Sequence, residues 1–169
     1  MHTLSVLVEN RPGALARVSN MFARRGFNIE SLAVGPTERP NVSRITLRVE
    51  CSQDSLEQIE KQMHKLVNVL RVNELEPGEA IERELALLKV NAPPDRRGDL
   101  LALAEVFSAR VADLGPNSII FKVVGSPEEL DSFEELVRPH GLKELARTGR
   151  IGLARASTAR APRRQHVLR

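Results

Sequence analysis

A single cysteine, no tryptophan, no tyrosine and only five phenylalanines occur in this chain of 169 residues. Cys51 alone can form neither an internal disulfide nor a cysteine-rich zinc site, and a reducing, cytoplasmic compartment is the expected setting. With no Trp or Tyr, the chain lacks the aromatic platform on which single-stranded bases stack. No apolar run approaches the roughly 20 residues that span a bilayer, so no membrane partner is expected. Met1-His2-Thr3-Leu4 leads straight into alternating sequence, without the basic start and apolar stretch of a signal peptide.

Catalytic signatures are missing as well. The histidines at 2, 64, 140 and 166 show no metal-binding spacing, and the chain has no G-x-S-x-G, no P-loop and no G-x-G-x-x-G. Cys51 falls at the end of a strand-like segment, where a structural thiol is expected rather than a nucleophile. Pairs such as Glu57 and Lys61 sit four residues apart, which surface pairing on a helix explains. We therefore expect no catalytic residue, no metal and no cofactor in this chain.

The formal net charge is +3, but its placement matters more than its sign. Six arginines and no acid lie between residues 150 and 169; without these six, 19 basic residues face 22 acidic ones, a net charge of −3. The excess is confined to one end instead of a face, so a nucleic-acid partner is not expected.

The remaining sequence is strongly patterned. Leu4, Val6 and Val8 alternate as on a strand until Asn10-Arg11-Pro12-Gly13 breaks it. Leu15, Val18 and Phe22 then recur at helical spacing up to Gly26, a natural helix stop. Strands follow at about 27–34 and 42–50. A helix comes next, starting at a capping-box-like Asp54-x-x-Glu57 and striped by Leu56, Ile59, Met63, Leu66 and Val67. A strand at 69–75 ends at Pro77-Gly78. This order, βαββαβ, is the split-βαβ or ferredoxin-like arrangement. The second half repeats it: a strand at 85–90, a helical stripe of Leu100, Leu103, Ala104 and Phe107, and strands at 111–114 and 118–124. Ser126-Pro127-Glu128-Glu129 then opens a helix that carries Leu130, Phe133, Leu136 and Val137, and a last strand falls at 142–147. The expected fold is α+β, two ferredoxin-like βαββαβ modules in tandem: 1–76, a linker at 77–80, 81–150, and a flexible Arg-rich tail at 151–169. Gly149-Arg150-Ile151-Gly152 has the letters of a G-x-x-G loop, but a tight turn accounts for it.

The first break offers chemistry. A strand ending in Asn10-Arg11-Pro12-Gly13 and opening a helix at Ala14-Leu15 presents unpaired N–H groups and a helix dipole, a setting for a carboxylate. Gly13 lacks a β-carbon and allows close approach, and Asn10 offers both a donor and an acceptor to a zwitterion. An ordinary turn and helix start would also account for these residues.

These same residues carry a resemblance. Residues 4–18, from Leu4-Ser5-Val6 through Asn10-Arg11-Pro12-Gly13-Ala14-Leu15 to Val18, resemble the opening of an ACT domain, a small-molecule-sensing module of amino-acid metabolism. Arg24-Arg25-Gly26-Phe27-Asn28-Ile29-Glu30-Ser31-Leu32 and the segment 56–66 resemble the regulatory (small) subunit of acetolactate synthase, and the likeness continues more weakly through 84–90 and 146–149. The Pro- and Arg-rich break at 91–99 and the Arg-rich tail depart from the family pattern.

The resemblance implies an N-terminal ACT domain, a C-terminal ACT-like domain and a homodimer joined through the ACT domains. It implies an effector, valine or a related branched-chain amino acid, held by Asn10, Pro12, Gly13, Ala14 and Leu15 of one protomer and by Asn28 and Ile29 of the other. It also implies a partner, the large catalytic subunit, which would hold thiamine diphosphate, Mg²⁺ and FAD and which this chain would activate and subject to feedback inhibition. A reading from another class is an amino-acid-responsive transcriptional regulator, although no helix-turn-helix segment is visible.

Overall fold

In a computed structural model, residues 1–157 are described. They form two modules of the same topology. In the first, β1 (His2–Glu9) leads to α1 (Ala14–Arg24), β2 (Ile29–Pro36), β3 (Val42–Val49), α2 (Gln53–Met63) and β4 (Val69–Glu74). The second consists of β5 (Ala80–Asn91), α3 (Arg97–Val106), β6 (Arg110–Leu114), β7 (Ser118–Gly125), α4 (Pro127–Val137) and β8 (Leu142–Arg147), followed by β9 (Ile151–Ala154). The sheet orders are β2-β3-β1-β4 and β6-β7-β5-β8, antiparallel throughout. The expected α+β fold with two ferredoxin-like βαββαβ modules is the fold observed.

Each sheet is one-sided because its strands alternate. Leu4, Val6 and Val8 of β1 pair directly with Leu47, Ile45 and Ser43 of β3. The three apolar β1 residues, with Ile45 and Leu47, form the inner face that α1 and α2 cover with Val18, Phe22, Leu56, Ile59 and Met63. The second core is separate. Leu88 and Val90 of β5, Phe121 of β7, Leu100 of α3 and Phe133 and Val137 of α4 are all at most 1% exposed.

Four details depart from the sequence expectation. β9 falls inside the segment expected to be a flexible tail from 151 onward: Ile151–Ala154 pairs antiparallel with Arg83–Ala80, the free start of an unusually long β5. The tail therefore cannot begin at 151, and its remainder, 158–169, lies outside the described residues. β5 also starts at Ala80, within the expected linker. The α2 cap is Ser52, whose hydroxyl accepts from the Ser55 N–H at 3.4 Å, so the helix starts ahead of the expected Asp54 box. That helix ends at Met63, which leaves Val67 outside its buried stripe and 81% exposed.

The α4 start matches its sequence signal in full. Ser126 Oγ accepts from the Glu129 N–H at 3.2 Å and the Glu129 carboxylate accepts from the Ser126 N–H at 2.6 Å, with Pro127 at the first helical position. We expect Ser126→Ala to destabilise the second module by about 1 kcal/mol, measured by urea unfolding, the usual cost of losing such a cap.

Candidate functional site

The loop between β1 and α1 is held at its base and open at its tip. The Asn10 N–H donates to the Asn41 carbonyl at 2.7 Å, and the Glu9 N–H to the Asn68 carbonyl at 2.9 Å. Asn68 Nδ2 also reaches the Glu9 carboxylate at 2.9 Å. Beyond this anchor Asn10, Arg11, Pro12 and Gly13 are all exposed. Gly13 turns the chain into the helix with φ 82° and ψ −7°, a left-handed conformation that disfavours a side chain. It caps α1 without any side-chain hydrogen bond, and the first turn carries no acidic residue.

The helix start is therefore left with free donors. The Ala14 N–H donates to the Arg11 carbonyl at 3.2 Å, whereas among the described residues the N–H groups of Gly13, Leu15 and Ala16 meet no acceptor. Helix N–H groups aimed outward at the positive end of the dipole attract an anion. Ala14 is buried, and Leu15, 39% exposed, places an aliphatic side chain beside these donors. Amides next to a leucine can take a carboxylate attached to an apolar body.

The other predicted residues lie elsewhere. Asn28 is exposed just ahead of β2, and Ile29 begins that strand, half-buried against the first core. Ile29 pairs with Val49, which pairs with His2, whereas Glu9 pairs with Val42. Ile29 thus stands at the sheet end where β1 begins, and Gly13 at the end where β1 stops, about 23 Å away along eight strand residues. One chain does not bring Asn10, Pro12, Gly13, Ala14 and Leu15 together with Asn28 and Ile29.

The remaining chemistry is structural. Cys51 packs at the edge of the first core, and burial pushes its thiol pKa up, against use as a nucleophile. His2 Nδ1 sits 2.7 Å from Glu74, a contact between β1 and β4. Among the described residues no group of His, Cys, Asp or Glu could hold a metal ion. A cleft of about 440 Å³ between the modules is lined in part by Arg48, Glu84, Asp131 and Arg147. Sequence reasoning missed it. Arg48 alternates with the buried Ile45, Leu47 and Val49 and so falls on the outer side of β3, but nothing local indicates that the second module faces it.

The two halves of the chain match two models of one family: residues 4–71 match the AHAS small subunit-like ACT domain, and residues 83–156 match the small subunit of acetolactate synthase. The acetolactate synthase small subunit of Mycolicibacterium smegmatis is 46% identical over 154 residues, which span 91% of this chain and 91% of that protein. This chain belongs to the acetolactate synthase small-subunit family. The small subunit of Mycobacterium leprae is 44% identical over 91% of this chain and 92% of its own length. The crystal structure of the small subunit from Thermotoga maritima superposes with a TM-score of 0.84 at 38% identity, over 91% of this chain and 96% of that one.

Membership assigns the first module to the ACT domains and gives the second its place in the same small subunit. It favours a subunit of acetolactate synthase over a transcriptional regulator, since both modules match that family. No helix among the described residues is long and apolar enough to cross a membrane.

Proposed function

We propose that this chain is the regulatory subunit of a cytoplasmic acetolactate synthase, activating the catalytic subunit and inhibiting it when valine or another branched-chain amino acid binds. The observation that carries the effector reading is the uncapped start of α1, with free N–H groups at Gly13, Leu15 and Ala16 beside an exposed leucine. In this reading the effector carboxylate sits on those amides, Asn10 takes the ammonium group, and Leu15 meets the branched side chain. In this reading thiamine diphosphate, Mg²⁺ and FAD belong to the catalytic partner.

The separation of the two residue groups supports a homodimer. β2 is an edge strand, with unpaired backbone groups along one side. Antiparallel pairing of two β2 edges about a twofold axis carries the partner's start of β2 to the sheet end where residues 10–15 lie. Asn28 and Ile29 of the second protomer then complete the site begun by the first. Discrimination among valine, leucine and isoleucine rests on about one methylene, worth roughly 1–3 kcal/mol in an apolar pocket.

The test is reconstitution with the catalytic subunit from the same source, measuring acetolactate formation with and without each branched-chain amino acid. The chain should raise the rate, and one of the three amino acids should lower it again. Asn28→Ala should weaken effector binding by about 1 kcal/mol or somewhat more, the usual worth of a lost hydrogen bond, with dimerisation unchanged by sedimentation. Equal affinities in Asn28→Ala and the original chain would remove the second strand from the site.

A further inference from the structure

The two modules meet at a seam that the proposed function leaves unused, and one turn of the second module lies against β2 of the first. After β8 the chain passes through Thr148, Gly149 and Arg150 to β9. Gly149 has φ +75°, and a β-carbon there would stand 3.4 Å from the Leu32 carbonyl oxygen and 3.5 Å from the Leu32 amide nitrogen. The turn therefore lies over the backbone of β2, near enough that a side chain at 149 would touch main-chain atoms and not a side chain that could rotate away. A second touch follows at Gly152, where a β-carbon would meet Leu75 Cδ1 at 2.6 Å.

The turn is fixed firmly to its own module. The Thr148 N–H donates to the Leu85 carbonyl at 3.0 Å, and the Leu85 N–H donates to Thr148 Oγ1 at 3.1 Å. Arg150 Nη1 reaches the Glu82 carboxylate at 3.2 Å, with only 15% and 22% of the two side chains exposed. The cleft beside the turn behaves differently. Arg48 pairs with Glu30 at 3.0 Å within the first module, and Arg147 pairs with Asp131 at 2.7 Å within the second. Among the described residues no ion pair formed by its lining residues crosses it. The modules approach each other here at Gly149, where the gap is filled by the width of one added side-chain atom, beside a cleft whose walls carry both signs of charge.

We infer that the Thr148-Gly149-Arg150 turn is the contact through which effector binding at β2 reaches the second module. The inference rests on the proposed effector site, since Leu32 lies three residues along β2 from Ile29. A ligand that orders Asn28 and Ile29 moves or stiffens the strand on which the turn sits. Main chain facing main chain, with no side chain from Gly149 between them, passes that change on with little rotamer slack. The effector then biases the placement of the second module only to the extent that it binds one placement better. The mixed charges on the cleft walls let the gap narrow without bringing like charges alone together.

The test is amide hydrogen exchange on the full chain, with and without valine, leucine or isoleucine, comparing the original with Gly149→Asn. Asparagine tolerates positive φ, so the turn keeps its conformation while a side chain is driven toward Leu32. In the original chain the effector should slow exchange at 10–15 and 28–34, and also at 145–154. In Gly149→Asn the first two responses should remain, and the third should fall by at least about fivefold, the lower end of typical coupling between sites. Glu82→Gln loosens the turn from the other side without touching β2, and should weaken the response at 145–154 even if Gly149→Asn folds poorly. The coupling is overturned if 145–154 fails to respond while the other two segments do, or if its response survives both substitutions. No response anywhere to any of the three amino acids overturns the effector reading and the coupling with it.

Discussion

Gly13→Asp is expected to abolish effector binding while leaving both modules folded. At φ 82° an L residue pays for its β-carbon, about 1–2 kcal/mol in general and less for Asp, which tolerates this region better than most. Sterically the substitution is free, since a β-carbon at Gly13 would find no atom within 4 Å. Its effect is chemical. The new carboxylate emerges at the start of α1, where the N–H groups of Leu15 and Ala16 are unpaired and the helix dipole favours a negative charge. A tethered carboxylate would occupy those donors permanently and repel the carboxylate of a free amino acid. A loss of more than 100-fold, about 2.7 kcal/mol, is the expected scale. Calorimetric titration with valine, leucine and isoleucine measures it, with protein concentration determined without 280 nm absorbance because the chain has no Trp or Tyr. Gly13→Ala separates the two effects: it carries the backbone strain without the charge, so binding should weaken only modestly. If Gly13→Asp binds as the original does, the start of α1 is not the effector site.

The first half of the proposed site is legible in the sequence because its signal is local. Asn10-Arg11-Pro12-Gly13 interrupts strand alternation just before a helical stripe, and a helix start with no side-chain cap follows from those residues alone. Asn28 and Ile29 carry no such signal. They lie about 23 Å from Gly13 in the same chain, so only the family resemblance connected them. β9 was missed for a related reason. Gly149-Arg150-Ile151-Gly152 looks like a turn entering an arginine-rich end, and its strand character comes from a partner about 70 residues earlier, the free start of β5. The early start of α2 is a closer contest: Ser52 and Asp54 are both good caps, and the structure uses the first. Alternation and helical stripes fixed the two cores, whereas each feature that depends on contact between distant segments had to come from the structure.

Phe133→Ala is expected to destabilise the second module by about 3–5 kcal/mol, the usual cost of truncating a fully buried phenylalanine. Phe133 is completely buried on α4. Its ring meets Phe121 of β7 edge-on at 5.8 Å and Phe107, just after α3, at a tilt and 5.3 Å, so one side chain ties both helices to the sheet. Domains of this size carry about 0.05–0.15 kcal/mol of stability per residue, so a loss on this scale takes a large share of what a module has. Because the two cores are separate, the damage should also be separate. Heating should show an early transition for the second module, while the first holds its β-sheet signal and still titrates with the effector. Phe22→Ala, in the first core, should reverse the order. The seam limits how far this independence extends. Gly149 and Gly152 lie beside Leu32 and Leu75, so the loss of the second module uncovers these two places on the first. A small accompanying fall in the first transition is therefore expected. If Phe133→Ala instead lowers both transitions equally, the modules unfold as one unit, and the seam binds them more strongly than its two close approaches indicate.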